Sequence, residues 1–155
     1  KESFEVSGTE FINTYEKRRR EVSLKEDAIE TVERVREMGM TQSILSAYLQ
    51  SNLERLTADL GIQYYFERVI GLENHYAFGK IENGKRWLEE LNYSPREVLL
   101  IGDTVHDYEV ASELNIDCLL ILSGHHSKEK LARCGSPLVR SLSQVVNYIE
   151  KEITA

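Results

Sequence analysis

The apolar run Val98-Leu99-Leu100-Ile101 leads straight into Gly102-Asp103-Thr104-Val105-His106-Asp107. A short apolar run followed by Gly reads as a buried strand ending in a tight turn. Asp103 and Asp107 then stand just past the carboxyl end of that strand, the edge at which open parallel sheets bind ligands. Two carboxylates in one turn repel each other unless positive charge lies beside them, and a hard divalent cation suits such oxygen ligands. The plainer alternative is a surface turn in which Asp107 caps the next helix. Two further groups occupy comparable places. Ser46, followed by Ala47 and Tyr48, ends a strand pattern and precedes a helical one. A hydroxyl with free backbone N–H groups at a helix start is an anion site, although Ser46 alone is equally an ordinary N-cap. Lys80 opens a helix behind the loop His75-Tyr76-Ala77-Phe78-Gly79. A cation there opposes the helix dipole, which points to another use for it. The plain alternative is a solvated lysine, with Lys85 a rival one turn on. A hydroxyl with backbone donors, a lysine and a carboxylate pair on one sheet edge can together hold a phosphoryl group and Mg2+.

The elements that must position these groups alternate along the chain. Thr9 to Arg20 reads as a helix. Ser23-Leu24-Lys25-Glu26 reads as a capping box opening a helix with Ala28, Val32 and Val35 on one face, closed by Gly39. Met40 to Leu45 reads as a strand, and Leu49, Leu53, Leu56 and Leu60 mark a helix closed by Gly61. Val69-Ile70 is a short strand, and Ile81 to Leu91 a helix with Gly84, Trp87, Leu88 and Leu91 inward. Val98 to Ile101 is a strand, and His106 to Leu114 a helix burying Val110, Ala111 and Leu114. Asp117 to Leu122 is apolar enough to be a strand buried on both faces. A helix from Ser127 to Arg133, a strand at Leu138-Val139 and a helix behind the capping box Ser141 to Gln144 complete the series. Alternation of this kind predicts an α/β fold, a doubly wound parallel sheet with helices on both faces.

The chain has 155 residues, enough for one domain with a proper core. Hydrophobic residues at 41% exclude a disordered chain, and a net charge of -7 speaks against nucleic acid as the main partner. The basic cluster Lys17-Arg18-Arg19-Arg20 is short and reads as a solvated helix end. Cys118 reads as a small core residue, Cys134 lies in a loop, and neither has metal-ligand spacing, which predicts a reducing, cytoplasmic setting. No apolar run approaches membrane-spanning length. His125-His126, after Ser123-Gly124, lies on the same sheet edge as the carboxylates and reads as an exposed loop. His75 and Tyr76 read the same way, and His106 as a solvent-facing helix residue.

With these residues in order, the chain resembles the haloacid dehalogenase superfamily, in its phosphoglycolate-phosphatase-like branch. Ile44-Leu45-Ser46 resembles the second motif, a strand ending in Ser or Thr that binds the phosphoryl group. Lys80 resembles the third-motif lysine, which balances charge on nucleophile and phosphate. Ile101-Gly102-Asp103-Thr104-Val105-His106-Asp107 resembles the fourth motif, which implies that Asp103 is a direct Mg2+ ligand and that Asp107 supports the metal or its waters. Leu60-Gly61-Ile62, Tyr65-Phe66 and Val69-Ile70-Gly71 resemble the connection between the second and third motifs. The likeness runs from about Val22 to the C-terminus and implies a Rossmann-like core over residues 22–155. Residues 1–21 resemble the last part of a helical cap.

One part of the pattern does not match. The first motif of that family is a strand ending Asp-x-Asp, whose first Asp attacks phosphorus and whose second serves as acid and base. The aspartates here are Asp27, Asp59, Asp103, Asp107 and Asp117, and no two are separated by one residue. The resemblance places that strand centrally, between those read at Met40–Leu45 and Val98–Ile101, so a sheet without it has a gap of about 10 Å. The expectation is therefore the C-terminal part of a longer Mg2+-dependent phosphatase of small phosphorylated metabolites. The central position would be filled by an upstream segment, by Phe4-Glu5-Val6 or by a second chain. The alternative is a non-catalytic module that binds Mg2+ and phosphate. A signalling receiver domain fits less well, because its early strand must end in acidic residues and here it ends in Ser46.

Overall fold

Strand and helix alternate as the apolar periodicity requires. The computed structural model describes residues 23–73, 79–122, 124 and 126–154. In chain order these form α1 (Ala28–Glu37), β1 (Ser43–Leu49), α2 (Gln50–Asp59), β2 (Arg68–Leu72), α3 (Gly79–Glu90) and β3 (Leu99–Gly102). There follow α4 (Val105–Leu114), β4 (Asp117–Ile121), α5 (Lys128–Ala132), β5 (Leu138–Val139) and α6 (Leu142–Thr154). The helix read at Thr9–Arg20, the cap segment 1–21, the basic cluster Lys17–Arg20, Phe4–Val6, His75, Tyr76, Ser123 and His125 lie outside the described residues.

Among the described residues all strand pairs are parallel. β1 pairs with β2, while β3, β4 and β5 form a second sheet in that order. Among the described residues no ladder joins β1 to β3. Ile101 of β3 is 42% exposed, unusual for a branched apolar residue on a strand read as buried. β4 is the buried strand expected, with Leu119 and Leu120 at 0% exposure. Leu119 and Ile121 share one face and pack with Val35 of α1 and with Val145 and Ile149 of α6. Leu120 points to the other face by strand alternation, where α4, with Val110 and Ala111 buried, packs on β3 and β4. α3 packs on β1, β2 and α4, so helices cover both faces. Among the described residues no helix is long and apolar enough to cross a membrane.

Two local readings change. α1 begins at Ala28 with Asp27 at its N-cap, not at the Ser23 capping box. The Asp27 carboxylate instead accepts a hydrogen bond from the Ser143 N–H in the first turn of α6, at 3.0 Å. This satisfies one of the orphan donors at that helix start, so the acid is used between helices and not within its own. β1 also differs. It starts at Ser43 and runs on to Leu49, because pairing with β2 resumes past an irregularity. The register is Ser43↔Arg68 to Leu45↔Ile70 and then Leu49↔Leu72, so extra β1 residues bulge out between Leu45 and Leu49. Ser46 and Ala47 therefore lie in a bulge of the strand rather than at the first turn of α2.

Candidate active site

Lys80 lies in the first turn of α3 and Asp107 in the first turn of α4, and the two side chains meet. Lys80 Nζ donates to Asp107 Oδ1 at 2.6 Å. Both residues are 7% exposed. A lysine so buried at a helix start, against the dipole, needs a charged partner. Lys85, the sequence-level rival, has a side chain 46% exposed and among the described residues pairs with Glu82 alone, at 3.5 Å. The other Asp107 oxygen, Oδ2, accepts from the Asp103 N–H at 3.1 Å, the Thr104 N–H at 3.0 Å and Thr104 Oγ1 at 2.7 Å. Thr104 is the N-cap of α4 and Asp107 its reciprocal partner, with the Asp107 N–H donating back to Thr104 Oγ1 at 3.2 Å. Asp107 thus caps the helix from within its first turn rather than from the N-cap, and holds the lysine as well. Burial is the largest single influence on its carboxyl and pushes the pKa up. The Lys80 hydrogen bond and charge, with the Thr104 donors, together outweigh it and leave the carboxyl below its ordinary value. The turn closes this tightly because residue 102 is glycine, since a Cβ there would stand 2.2 Å from Asp107 Cβ.

Asp103 is the other carboxylate of the pair. Its N–H is taken by Asp107, but among the described residues its carboxylate accepts no hydrogen bond. Gly124, past the end of β4, lies so near it that a Cβ there would stand 2.0 Å from Asp103 Oδ2. Further on, His126 Nδ1 accepts from the Val105 N–H at 3.0 Å and so satisfies another orphan donor of α4. His126 is legible in the sequence only as part of an exposed pair, because its partner is a backbone group distant along the chain. Thr104 is legible, since Thr-x-x-Asp before an apolar run is a capping box.

Ser46 is bonded within its own strand. Its Oγ accepts from the Tyr48 N–H at 3.1 Å, which fixes the bulge from within. Among the described residues no hydrogen bond or ion pair joins Ser46 or Ala47 to Lys80, Asp103 or Asp107. The two parts share a scaffold, because α3, which carries Lys80, packs on β1. The described residues also contain no group of three or more His, Cys, Asp or Glu side chains able to hold a metal ion. A soft or all-protein metal cage is therefore not what these residues offer. The donor set does fit Mg2+, which keeps several waters and takes one or two carboxylates together with phosphate oxygens. Asp103 supplies a carboxylate that accepts no hydrogen bond among the described residues, and Asp107 one whose lone pairs are mostly committed.

Comparison with known proteins identifies the family. The profile of the haloacid dehalogenase-like hydrolases matches residues 2–121. The chain belongs to the haloacid dehalogenase-like hydrolase family. Its fold is shared with solved members at low identity. A predicted phosphatase from Clostridium acetobutylicum superposes with a TM-score of 0.74 at 18% identity, covering 81% of this chain and 59% of its own. A haloacid dehalogenase-like hydrolase from Streptococcus pneumoniae gives 0.74 at 21%, covering 82% and 60%. A predicted phosphoglycolate phosphatase from Haemophilus somnus gives 0.75 at 13%, covering 87% and 61%. The chain thus spans about three-fifths the length of these hydrolases. Comparison with curated protein sequences finds no match.

Proposed function

We propose that this haloacid dehalogenase-like chain carries the phosphoryl-binding and metal-supporting part of a Mg2+-dependent hydrolase of small phosphorylated metabolites. The observation that carries the reading is the buried Lys80–Asp107 pair with, beside it, the Asp103 carboxylate, which accepts no hydrogen bond among the described residues. In this reading the Ser46 hydroxyl and the backbone at Ala47 hold phosphoryl oxygens. Lys80 balances their charge and that of the attacking group. Asp103 would ligate Mg2+ directly, and Asp107, held by Lys80 and Thr104, would orient the metal's waters. Bound Mg2+ supplies positive charge to the phosphoryl oxygens, and the rest of the site contributes position and preorganised donors. The attacking carboxylate comes from a strand that pairs with the edges of β1 and β3 that no ladder joins among the described residues, from another part of the same protein or from a second chain.

The second reading, a non-catalytic Mg2+- and phosphate-binding module, is favoured by the absence of any Asp-x-Asp pair from the sequence. Calorimetry with Mg2+ and inorganic phosphate, together with a phosphomonoester hydrolysis screen, tests both. Mg2+-dependent phosphate binding that disappears in Asp103→Asn and Lys80→Met supports the shared site. Release of phosphate from esters by the protein that includes the attacking strand selects the hydrolase. Saturable ester binding without release selects the module, and no binding in any of these proteins refutes both.

A further inference from the structure

Gln50, the first residue of α2, uses its carboxamide as a neighbouring strand uses a peptide group. Its Oε1 accepts from the Gly71 N–H of β2, and its Nε2 donates to the Val69 carbonyl at 2.9 Å. The Gly71 carbonyl in turn accepts from Asn83 Nδ2 at 2.6 Å. Asn83 lies on α3 one turn beyond Lys80, and its own Oδ1 is held by Arg86. Both polar groups of one buried β2 residue are therefore engaged by side chains, one from α3, which carries Lys80, and one from α2, which begins directly after the strand that carries Ser46 and Ala47. Glycine is required at this meeting point, because a Cβ on residue 71 would lie 2.6 Å from the Tyr48 carbonyl oxygen and 2.9 Å from the Gln50 nitrogen. The β1–β2 register breaks between Leu45 and Leu49, so regular strand pairing does not fix Ser46 and Ala47.

We propose that Gln50 and Asn83 are positioning residues, which meet at Gly71 and set the Ser46–Tyr48 bulge relative to Lys80. The inference rests on the reading of Ser46 and Lys80 as phosphoryl-binding groups. This brace explains Gln50 more fully than a capping role does, since the N-cap of α2 is Leu49 and no side chain caps that helix.

The test is the affinity of the full chain for inorganic phosphate in the presence of Mg2+, measured beside the affinity for Mg2+ alone. The variants are Gln50→Leu, Asn83→Ala, their double, and Ser46→Ala, each checked for folding by circular dichroism. Each brace variant is expected to weaken phosphate binding by about tenfold, the worth of one hydrogen bond to the phosphoryl group. The double variant is expected to be little weaker than either single, because both act through Gly71. Mg2+ binding alone stays within about twofold of wild type, which a general loosening of the fold would not allow. Phosphate binding within about twofold of wild type in folded Gln50→Leu and Asn83→Ala, with Ser46→Ala weakened, overturns the inference and leaves the phosphoryl-binding reading intact. If Gln50→Leu does not fold, Asn83→Ala decides by the same criterion. If Ser46→Ala binds phosphate as wild type does, or wild type does not bind it, the phosphoryl-binding reading fails and the inference falls with it.

Discussion

Lys80→Met removes the cation from the buried pair while keeping most of the stem's volume. In the wild-type chain Nζ lies 2.6 Å from Asp107 Oδ1, with the two side chains 9% and 10% exposed. Removing one partner of such a pair leaves the other charge buried and costs about 3–5 kcal/mol. Three donors remain on Asp107 Oδ2, so the lower end, about 3 kcal/mol near pH 7, is expected. The dependence on pH separates this cause from a packing defect. Asp107 has a folded pKa below its unfolded value, so its stabilisation is present above the unfolded pKa of about 4. It is lost as pH falls through the lowered folded value. In Lys80→Met the burial that already pushes this carboxyl up acts without the opposing cation, and the folded pKa rises. The penalty is then full at neutral pH and shrinks as pH falls through the raised pKa, because protonated Asp107 needs no cation. Urea unfolding of both proteins from about pH 7 down to about pH 4 reads the difference. A penalty under about 1 kcal/mol at neutral pH, or one that does not shrink on acidification, refutes the argument. Adding Asp107→Asn to Lys80→Met is expected to recover part of the loss, since a neutral amide oxygen still accepts from Thr104.

Three further outcomes follow from the same turn. Gly102→Ala forces a Cβ to within 2.2 Å of Asp107 Cβ, and is expected to destabilise by about 1–3 kcal/mol in chemical denaturation. Thr104→Val removes the N-cap of α4 and a donor to Asp107, at a cost of about 1 kcal/mol that Thr104→Ser largely restores, as thermal unfolding will show. Asp103→Asn, whose side chain accepts no hydrogen bond among the described residues, is expected to leave stability within about 0.5 kcal/mol while Mg2+ affinity falls by about tenfold or more in calorimetry.

Much of this site is legible in the sequence because its residues follow one another. The run from Val98 to Asp107 shows its strand, its tight turn and its carboxylates without any distant partner. Buried faces are equally readable, since Val110, Ala111 and Leu114 recur at helical spacing and all three are buried. Where partners are distant, sequence reasoning fails. Asp27 reads as interior to a helix opened by Ser23, because its actual use, the Ser143 N–H, lies on the last helix. The bulge at Ser46 is invisible for a related reason. The register break depends on how β1 meets β2, and nothing in Ser46-Ala47-Tyr48-Leu49 announces extra residues in a strand. Gln50 escapes notice too, because a glutamine at a helix start has many uses and its bonds to Val69 and Gly71 emerge only once β2 is beside it.

The ion pair also has a structural consequence. α3 packs on β1 and β2, whereas α4 packs on β3 and β4, and these strands belong to two sheets that no ladder connects among the described residues. Lys80 belongs to the first unit and Asp107 to the second. Beside them Gly84 of α3 lies where a Cβ would stand 2.8 Å from Leu114 of α4 and 3.1 Å from Leu45 of β1. The two units therefore meet through a glycine and apolar side chains, with a directional, charged contact at the edge where ligands would bind. A buried ion pair adds little net stability compared with apolar packing of the same volume, but it is intolerant of displacement. Placed between two separately paired sheets, it fixes how α3 and α4 meet and so where Lys80 lies relative to Asp103. An apolar pair at the same positions would hold the units together as strongly without defining that geometry. The charge pair is thus better explained by the site than by the fold.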